Sequence, residues 1–236
     1  MKRRYRAIIS YDGTEFSGWQ VQQGRRTVQA ALEESIRSVT GVDTRVFCSG
    51  RTDTGVHARG QVVHFDLPAY RPAKKLFLGL NARLPEDVRV ERITATRADF
   101  DARFSASGKE YRYFIWNKPV HTHDRRLYTA HVRQPMDVRA MNQAARQLEG
   151  RHDFAAFCAN PGYEREGTVR RIDRLHVTKR GAQIVIAVRG EGFLYRMVRS
   201  LAGHLIRVGL GEVPPEETSV ILASKTRTAH VPTAPA

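Results

Sequence analysis

Cysteine is scarce: Cys48 and Cys158 are the only two in 236 residues. Two thiols alone cannot build a disulfide framework or a four-cysteine zinc site. They point to a reducing compartment and read as buried filler before reactive groups. No apolar run approaches the ~20 residues of a membrane span. The N-terminus starts basic but passes at once into Ala7-Ile8-Ile9-Ser10 and a turn, so no signal peptide is expected and the cytoplasm is the expected compartment. A Walker-type glycine–lysine loop is missing, so no nucleoside triphosphate is expected. A Ser/His/Asp signature is missing too.

Acid is also in short supply. Against 39 Lys and Arg stand 24 Asp and Glu, giving a net charge of +15 and a pI of about 10.5. Most of the basic residues are arginines, which favour planar, bidentate contacts to phosphate. A surface so basic binds polyanions, and nucleic acid is the expected partner class. Hydrophobic residues at 41% and charged residues at 27% describe an ordinary globular chain, long enough for a proper core.

Taken in order, residues 5–10 read as a strand, closed by Asp12-Gly13 and followed by Phe16-Ser17-Gly18-Trp19. Thr27 caps a helix whose apolar residues Val28, Ala31, Leu32, Ile36 and Val39 recur until Gly41 stops it. Strands follow over 45–48 and 62–67, then a helix opened by Pro72 and ended at Pro85, then a strand over 88–96. That order is the split βαβ, or ferredoxin-like, pattern. The second half restarts with strands over 109–117 and 127–132, a helix capped by Asp137 and an aromatic loop over 152–158. It continues with a hairpin over 169–189, a long helix over 193–210 and a short one over 214–224. A closing strand is not seen. The expected fold is α+β: two ferredoxin-like halves, residues 1–105 and 106–236, forming a mainly antiparallel sheet with helices on one side and a central catalytic cleft.

The connector over 49–61 is too long for a hairpin turn and holds three glycines, an aspartate, a histidine and two arginines. Two readings stand for Asp53: a turn residue bonding its own backbone, or a catalytic carboxylate beside Arg51, which could bind phosphate or fill the gap left by an extruded base. Period-two alternation puts Lys109, Tyr111 and Tyr113 on one face of a strand, either a base-stacking surface or core tyrosines with wet hydroxyls. In the 193–210 helix Arg196 and Arg199 fall opposite the apolar stripe, which suits a solvated face or a charged cleft. His121-Thr122-His123-Asp124 is a weak metal candidate with no second cluster near it in sequence.

The stretch Gly50-Arg51-Thr52-Asp53-x-Gly55-Val56-His57-Ala58-x-Gly60-Gln61-Val62 resembles the signature loop of the tRNA pseudouridine synthase A family. The resemblance continues through Tyr11-Asp12-Gly13, Gly18-Trp19-Gln20, Asn81-x-x-Leu84-Pro85 and Phe100-Asp101-Ala102-Arg103-Phe104-Ser105-Ala106. Tyr111-Arg112-Tyr113, His152-Asp153-Phe154 and Phe193…Met197-Val198-Arg199 complete it over nearly the whole chain. It implies isomerisation of uridine to pseudouridine at positions 38, 39 and 40 of the tRNA anticodon stem-loop, by a homodimer with no cofactor and no metal. It also implies roles: Asp53 as catalytic nucleophile, Tyr111 as active-site tyrosine, Arg199 as the aspartate's basic partner and Arg51 in base extrusion. Gln61, Arg103, Arg25 and Arg26 are expected as further tRNA contacts. The family continues past Ala234-Pro235-Ala236 into a Gly-Leu-Tyr-type strand that this sequence does not contain.

Two rival functions remain on the residues alone. A non-catalytic RNA-binding protein explains the charge and tyrosines but leaves Asp53 idle, and a metal-dependent nucleic-acid hydrolase would use His121 and His123.

Overall fold

The computed structural model describes residues 2–159 and 167–236. These form two compact units, 1–106 with Ala236 and 107–235.

The first unit runs β1 (Arg3–Tyr11), α1 (Val28–Thr40), β2 (Phe47–Cys48), β3 (Ala58–Leu67), α2 (Ala73–Arg83) and β4 (Val88–Ala95). Its sheet has the order β2-β3-β1-β4 with every pairing antiparallel, so the first and third strands lie side by side, as the split βαβ pattern requires. Alternation along β1 buries Tyr5, Ala7, Ile9 and Tyr11. They share a core with Val63, Phe65 and Leu67 of β3, and with Leu32 and Ile36 of α1 and Leu76 and Leu80 of α2. Each Val, Leu, Ile or Phe among them contributes about 1.5–3 kcal/mol by leaving water. Gly41 ends α1 in the left-handed region at φ 72°, its N–H returning to Arg37 O, as its place after the periodic residues predicts.

The second unit runs β5 (Lys109–Trp116), β6 (Ala130–His131), α3 (Val138–Gln147), β7 (Gly150–Asp153), β8 (Val169–Arg180), β9 (Gln183–Gly190), α4 (Met197–Gly209) and α5 (Glu217–Ser224). The sheet order is β6-β5-β9-β8-β7, antiparallel apart from the short parallel pair β5–β6. The arrangement β5-β9-β8 repeats the β1-β3-β2 arrangement of the first unit. The place beside the first strand, held there by β4, is held here by the two residues of β6. Ile115, Leu175, Val177, Ile184, Ile186 and Val188 bury one sheet face against Met141 and Ala145 of α3 and Leu201 and Leu205 of α4. The β-structure as a whole is two mainly antiparallel sheets in an α+β fold.

Several boundaries differ from the sequence expectation. The helix expected over 193–210 begins only at Met197, because Arg196 adopts φ 56° and the Leu194 carbonyl accepts from Met197 N–H in a separate turn. That turn closes the same three-residue spacing as a helix, so periodicity alone reads it as one. Arg196 is therefore not on the helical face that carries Arg199. The strand expected over 127–132 shrinks to β6, since Arg125 O accepts from Tyr128 and Thr129 N–H in a local turn. The aromatic loop over 152–158 instead begins within β7, which pairs with β8, and then makes one 3-10 turn at Ala155–Phe157. The short helix expected from 214 starts at Glu217.

The two expected caps also diverge. Asp137 Oδ1 accepts from the N–H groups of Arg139 and Ala140. Thr27 has cap-like backbone angles but no side-chain cap bond, and its hydroxyl is buried without a partner among the described residues. Accordingly, Asp137→Ala is expected to lower unfolding stability by about 1 kcal/mol. Thr27→Val, which removes only an unsatisfied hydroxyl, is expected to be neutral or stabilising. Urea unfolding of both variants checks this, and a Thr27→Val loss comparable to the Asp137→Ala loss would show that the hydroxyl does cap.

Candidate active site

The connector after β2 is shorter than its sequence implied, because β3 already begins at Ala58, paired with Tyr11. What remains, residues 49–57, is held from four sides. Ser49 N–H donates to Val62 O at 2.9 Å, and Trp19 N–H donates to Thr52 O at 3.0 Å. Gly55 N–H reaches Phe16 O at 3.3 Å. The Tyr11 hydroxyl lies 2.8 Å from Thr52 Oγ1. Burial pushes the Tyr11 phenol up to about 12 against the opposing hydrogen bonds from Thr52 and Gln61, so it stays neutral and can donate.

Two glycines make this grip. A Cβ on Gly13 would stand 2.1 Å from Val56 O, and one on Gly18 would stand 2.8 Å from Thr52 O, with Gly18 also at φ 85°. The His57 ring adds a further clamp, its Nδ1 accepting from Gly13 N–H at 3.1 Å. Sequence reading placed Asp12-Gly13 as a turn and Gly18-Trp19 in the loop after it, both within stretches that carry the family resemblance, and gave neither glycine a structural partner. Their contribution is to let a second backbone come within van der Waals range of the loop. A signal was available in the number of glycines flanking the loop, but its target was not.

Within this frame Asp53 is half-buried, and its carbonyl accepts from Val56 N–H at 3.2 Å. Arg51, two residues away, is exposed. Gln61 is buried with both ends of its amide engaged: Nε2 donates to Gly50 O, and Oε1 accepts from Ser49 Oγ. It braces the loop from β3. Arg26 makes a bidentate pair with Asp87, at 2.7 and 2.8 Å, and lies 3.9 Å from the Phe16 ring centroid. Its neighbour Arg25 is exposed.

Arg103 sits on the segment after β4, against the sheet face opposite the helices. Asp101 Oδ1 accepts from the N–H groups of Arg103 and Phe104. Ala102 N–H donates to Nδ1 of His64, whose ring stacks on Phe47 at 5.0 Å. Burial, followed by the nearby Arg4 charge, lowers the His64 pKa and favours the neutral ring, and the Ala102 N–H bond makes Nδ1 its acceptor nitrogen. Arg4 in turn makes a two-bond pair with Asp66 and donates to Phe100 O. The result is an anchored turn that presents exposed Arg103 and Phe104.

In the second unit the Tyr111 face of β5 is the core side. Ile115 on that face is fully buried, while Tyr111 and Tyr113 are half-buried against the core. Tyr111 meets Phe193 edge to face at 5.2 Å. The Tyr113 hydroxyl is buried with no partner among the described residues. Burial drives its pKa to about 12 while the Arg199 charge opposes the shift. Arg199 Nε donates to Ala234 O at 2.8 Å. His121 stacks on His131 at 4.7 Å and shares a hydrogen bond with Thr129 Oγ1. Among the described residues no group of three or more His, Cys, Asp or Glu is placed to hold a metal ion.

The sequence matches the family described as tRNA pseudouridine synthase over residues 7–105 and 144–236. A relative from Brevibacillus brevis, named tRNA pseudouridine synthase A, is 47% identical over 99% of this chain and 96% of its own length. Relatives of the same name from Geobacillus kaustophilus and Syntrophotalea carbinolica are each 44% identical, over 100% and 98% of this chain and 92% and 91% of their own lengths.

The glycine-mediated grip predicts how the loop responds to a single methyl group. Gly18→Ala should speed hydrogen exchange at the Trp19 and Gly55 amides. Gly60→Ala, with nothing within 4 Å of its Cβ, should leave them unchanged. Equal exchange in both variants would mean that close approach does not hold the loop.

Proposed function

The chain belongs to the tRNA pseudouridine synthase family, and on that premise we propose where and by which residues it acts. Its reaction is the isomerisation of uridine to pseudouridine in transfer RNA. The proposed targets are positions 38, 39 and 40 of the anticodon stem-loop, and Asp53 is the proposed catalytic carboxylate. The observation that carries the reading is the clamped loop over 49–57, which holds a half-buried carboxylate at a defined height beside an exposed arginine.

A uridine stacked in a stem hides its glycosidic bond, so the nucleotide must first leave the stack. Arg51 takes the space that the base leaves. Asp53, ionised, then attacks C1′ or drives loss of the C2′ proton, and the C1′–N1 bond breaks. The freed uracil turns on Tyr111 and rejoins through C5. Tyr111 or the released Asp53 takes the C5 proton, which restores the aromatic ring of the product base. Arg199 balances the charge of the carboxylate, a role given to it by the resemblance. The edge-to-face contact with Phe193 supports Tyr111 as a fixed platform, since it holds the phenol ring in one orientation.

Arg25 and Arg103 supply phosphate contacts in this reading, and Gln61 contributes by bracing the loop. Arg26, already bound by Asp87 and stacked over Phe16, serves as the fixed base of that basic edge. A homodimeric enzyme working in the cytoplasm completes the proposal. No helix among the described residues is long and apolar enough to cross a membrane.

Asp53→Ala is expected to lower single-turnover pseudouridine formation by roughly 10³-fold or more while tRNA still binds. Wild-type turnover in that variant would sink the assignment. For Arg25→Ala the expectation is reversed: weaker tRNA binding at every salt concentration, a salt slope reduced by about one, and unchanged chemistry at saturation. An unaltered slope would remove Arg25 from the phosphate contacts.

A further inference from the structure

Five positions of α4 hold one segment of chain, residues 227–234, and the first of them is Arg199. Its Nε donates to Ala234 O at 2.8 Å, and Ala234 N–H donates back to Arg199 O at 3.0 Å. One residue on, the buried Ser200 hydroxyl accepts from Arg227 Nη1 at 2.9 Å, while Arg227 Nη2 donates to Thr233 Oγ1 at 2.7 Å. A turn further, a Cβ on Gly203 would stand 2.1 Å from Pro232 O, so the segment crosses the helix directly on its backbone. His204 and Arg207 then reach His230 O and Ala229 O. Val231 and Ala234 are buried in the core beneath.

The geometry points to a positioning strap: the 227–234 segment fixes the Arg199 guanidinium, and Arg227 is the residue that fastens it. This rests on the reading of Arg199 given above. An arginine on a helix surface samples many rotamers, and a reaction needing one of them loses rate in proportion. The paired bonds between Arg199 and Ala234 tie side-chain direction to the position of one backbone carbonyl. That carbonyl stays in place only while the strap does. Arg227 closes the strap on itself through Thr233 and onto α4 through Ser200, and burial lowers its pKa without removing its charge. Its two donors therefore stay directed at those hydroxyls. Arg227 is a positioning residue, acting through Ala234 and Arg199.

The test is a double-mutant cycle on the full chain, reading single-turnover rate on tRNA, tRNA affinity and melting temperature. Arg227→Ala is expected to slow the chemical step by roughly tenfold to a hundredfold with affinity within about twofold of wild type. Placed on Arg199→Ala, it should add no further loss in rate. Arg227→Lys should recover part of the rate, since one ammonium can serve one of the two hydroxyls. Gly203→Ala, which displaces the strap without touching either arginine, should reproduce the loss and be silent on Arg199→Ala. Should Arg227→Ala fail to fold, Thr233→Val loosens one end of the strap and must show the same dependence on Arg199. Losses that add fully to Arg199→Ala, or wild-type rates in both Arg227→Ala and Gly203→Ala, overturn the strap alone. A wild-type rate in Arg199→Ala overturns the underlying reading of Arg199 instead.

Discussion

Backbone lying directly against backbone is the constraint on which both candidate regions depend. At Gly13 a main-chain carbonyl occupies the space a methyl group would need, and at Gly203 another does the same. Side-chain contacts can relax by rotamer changes, whereas two backbones in contact have no such freedom. In the first unit this fixes the height of the loop carrying Asp53. In the second it fixes the carbonyl that receives Arg199. The chemistry proposed here asks for groups held within fractions of an ångström, and close approach of main chains meets that demand in each unit separately.

Charge is distributed in a way that composition cannot reveal. Part of the arginine excess is paired with carboxylates: Arg4 with Asp66, Arg26 with Asp87 and Arg207 with Glu212. These pairs hold elements in place and are no longer bare positive charge. Arg25, Arg51 and Arg103 stay exposed, each next to an anchored residue: Arg26, the clamped Asp53 loop or the Asp101 turn. A basic chain thus uses some cations as fasteners and presents others from the structures they fasten.

Much of the architecture was legible because alternation and helical spacing follow from backbone geometry alone. Tyr5 to Tyr11 on β1 and the periodic residues of α1 could be read directly. Asp137 as a cap could be read as well. Failures came where two structures share one spacing, as at Leu194 and Met197, where a turn imitates the first turn of a helix. The Tyr111 face was ambiguous for a related reason. Alternation assigns residues to faces but does not say which face the helices cover, and here Ile115 shows that it is the tyrosine face.

By itself the sequence determined the α+β order of elements, the basic character of the surface and, through the Gly-Arg-Thr-Asp motif, the family and its reaction. Those properties are local or compositional, and each is carried by a few adjacent residues or by a sum over all of them. Only the tertiary structure decided that Gly13 and Gly18 brace the Asp53 loop, that Gln61 points inward, that Arg26 is bound to Asp87, and that residues 227–234 hold Arg199. The glycine contacts, the Gln61 bond to Gly50 O and the Arg199 bond to Ala234 O go to main-chain atoms that every residue type shares, and the Arg26–Asp87 pair joins side chains 61 residues apart, so residue identity alone carries no record of the partner.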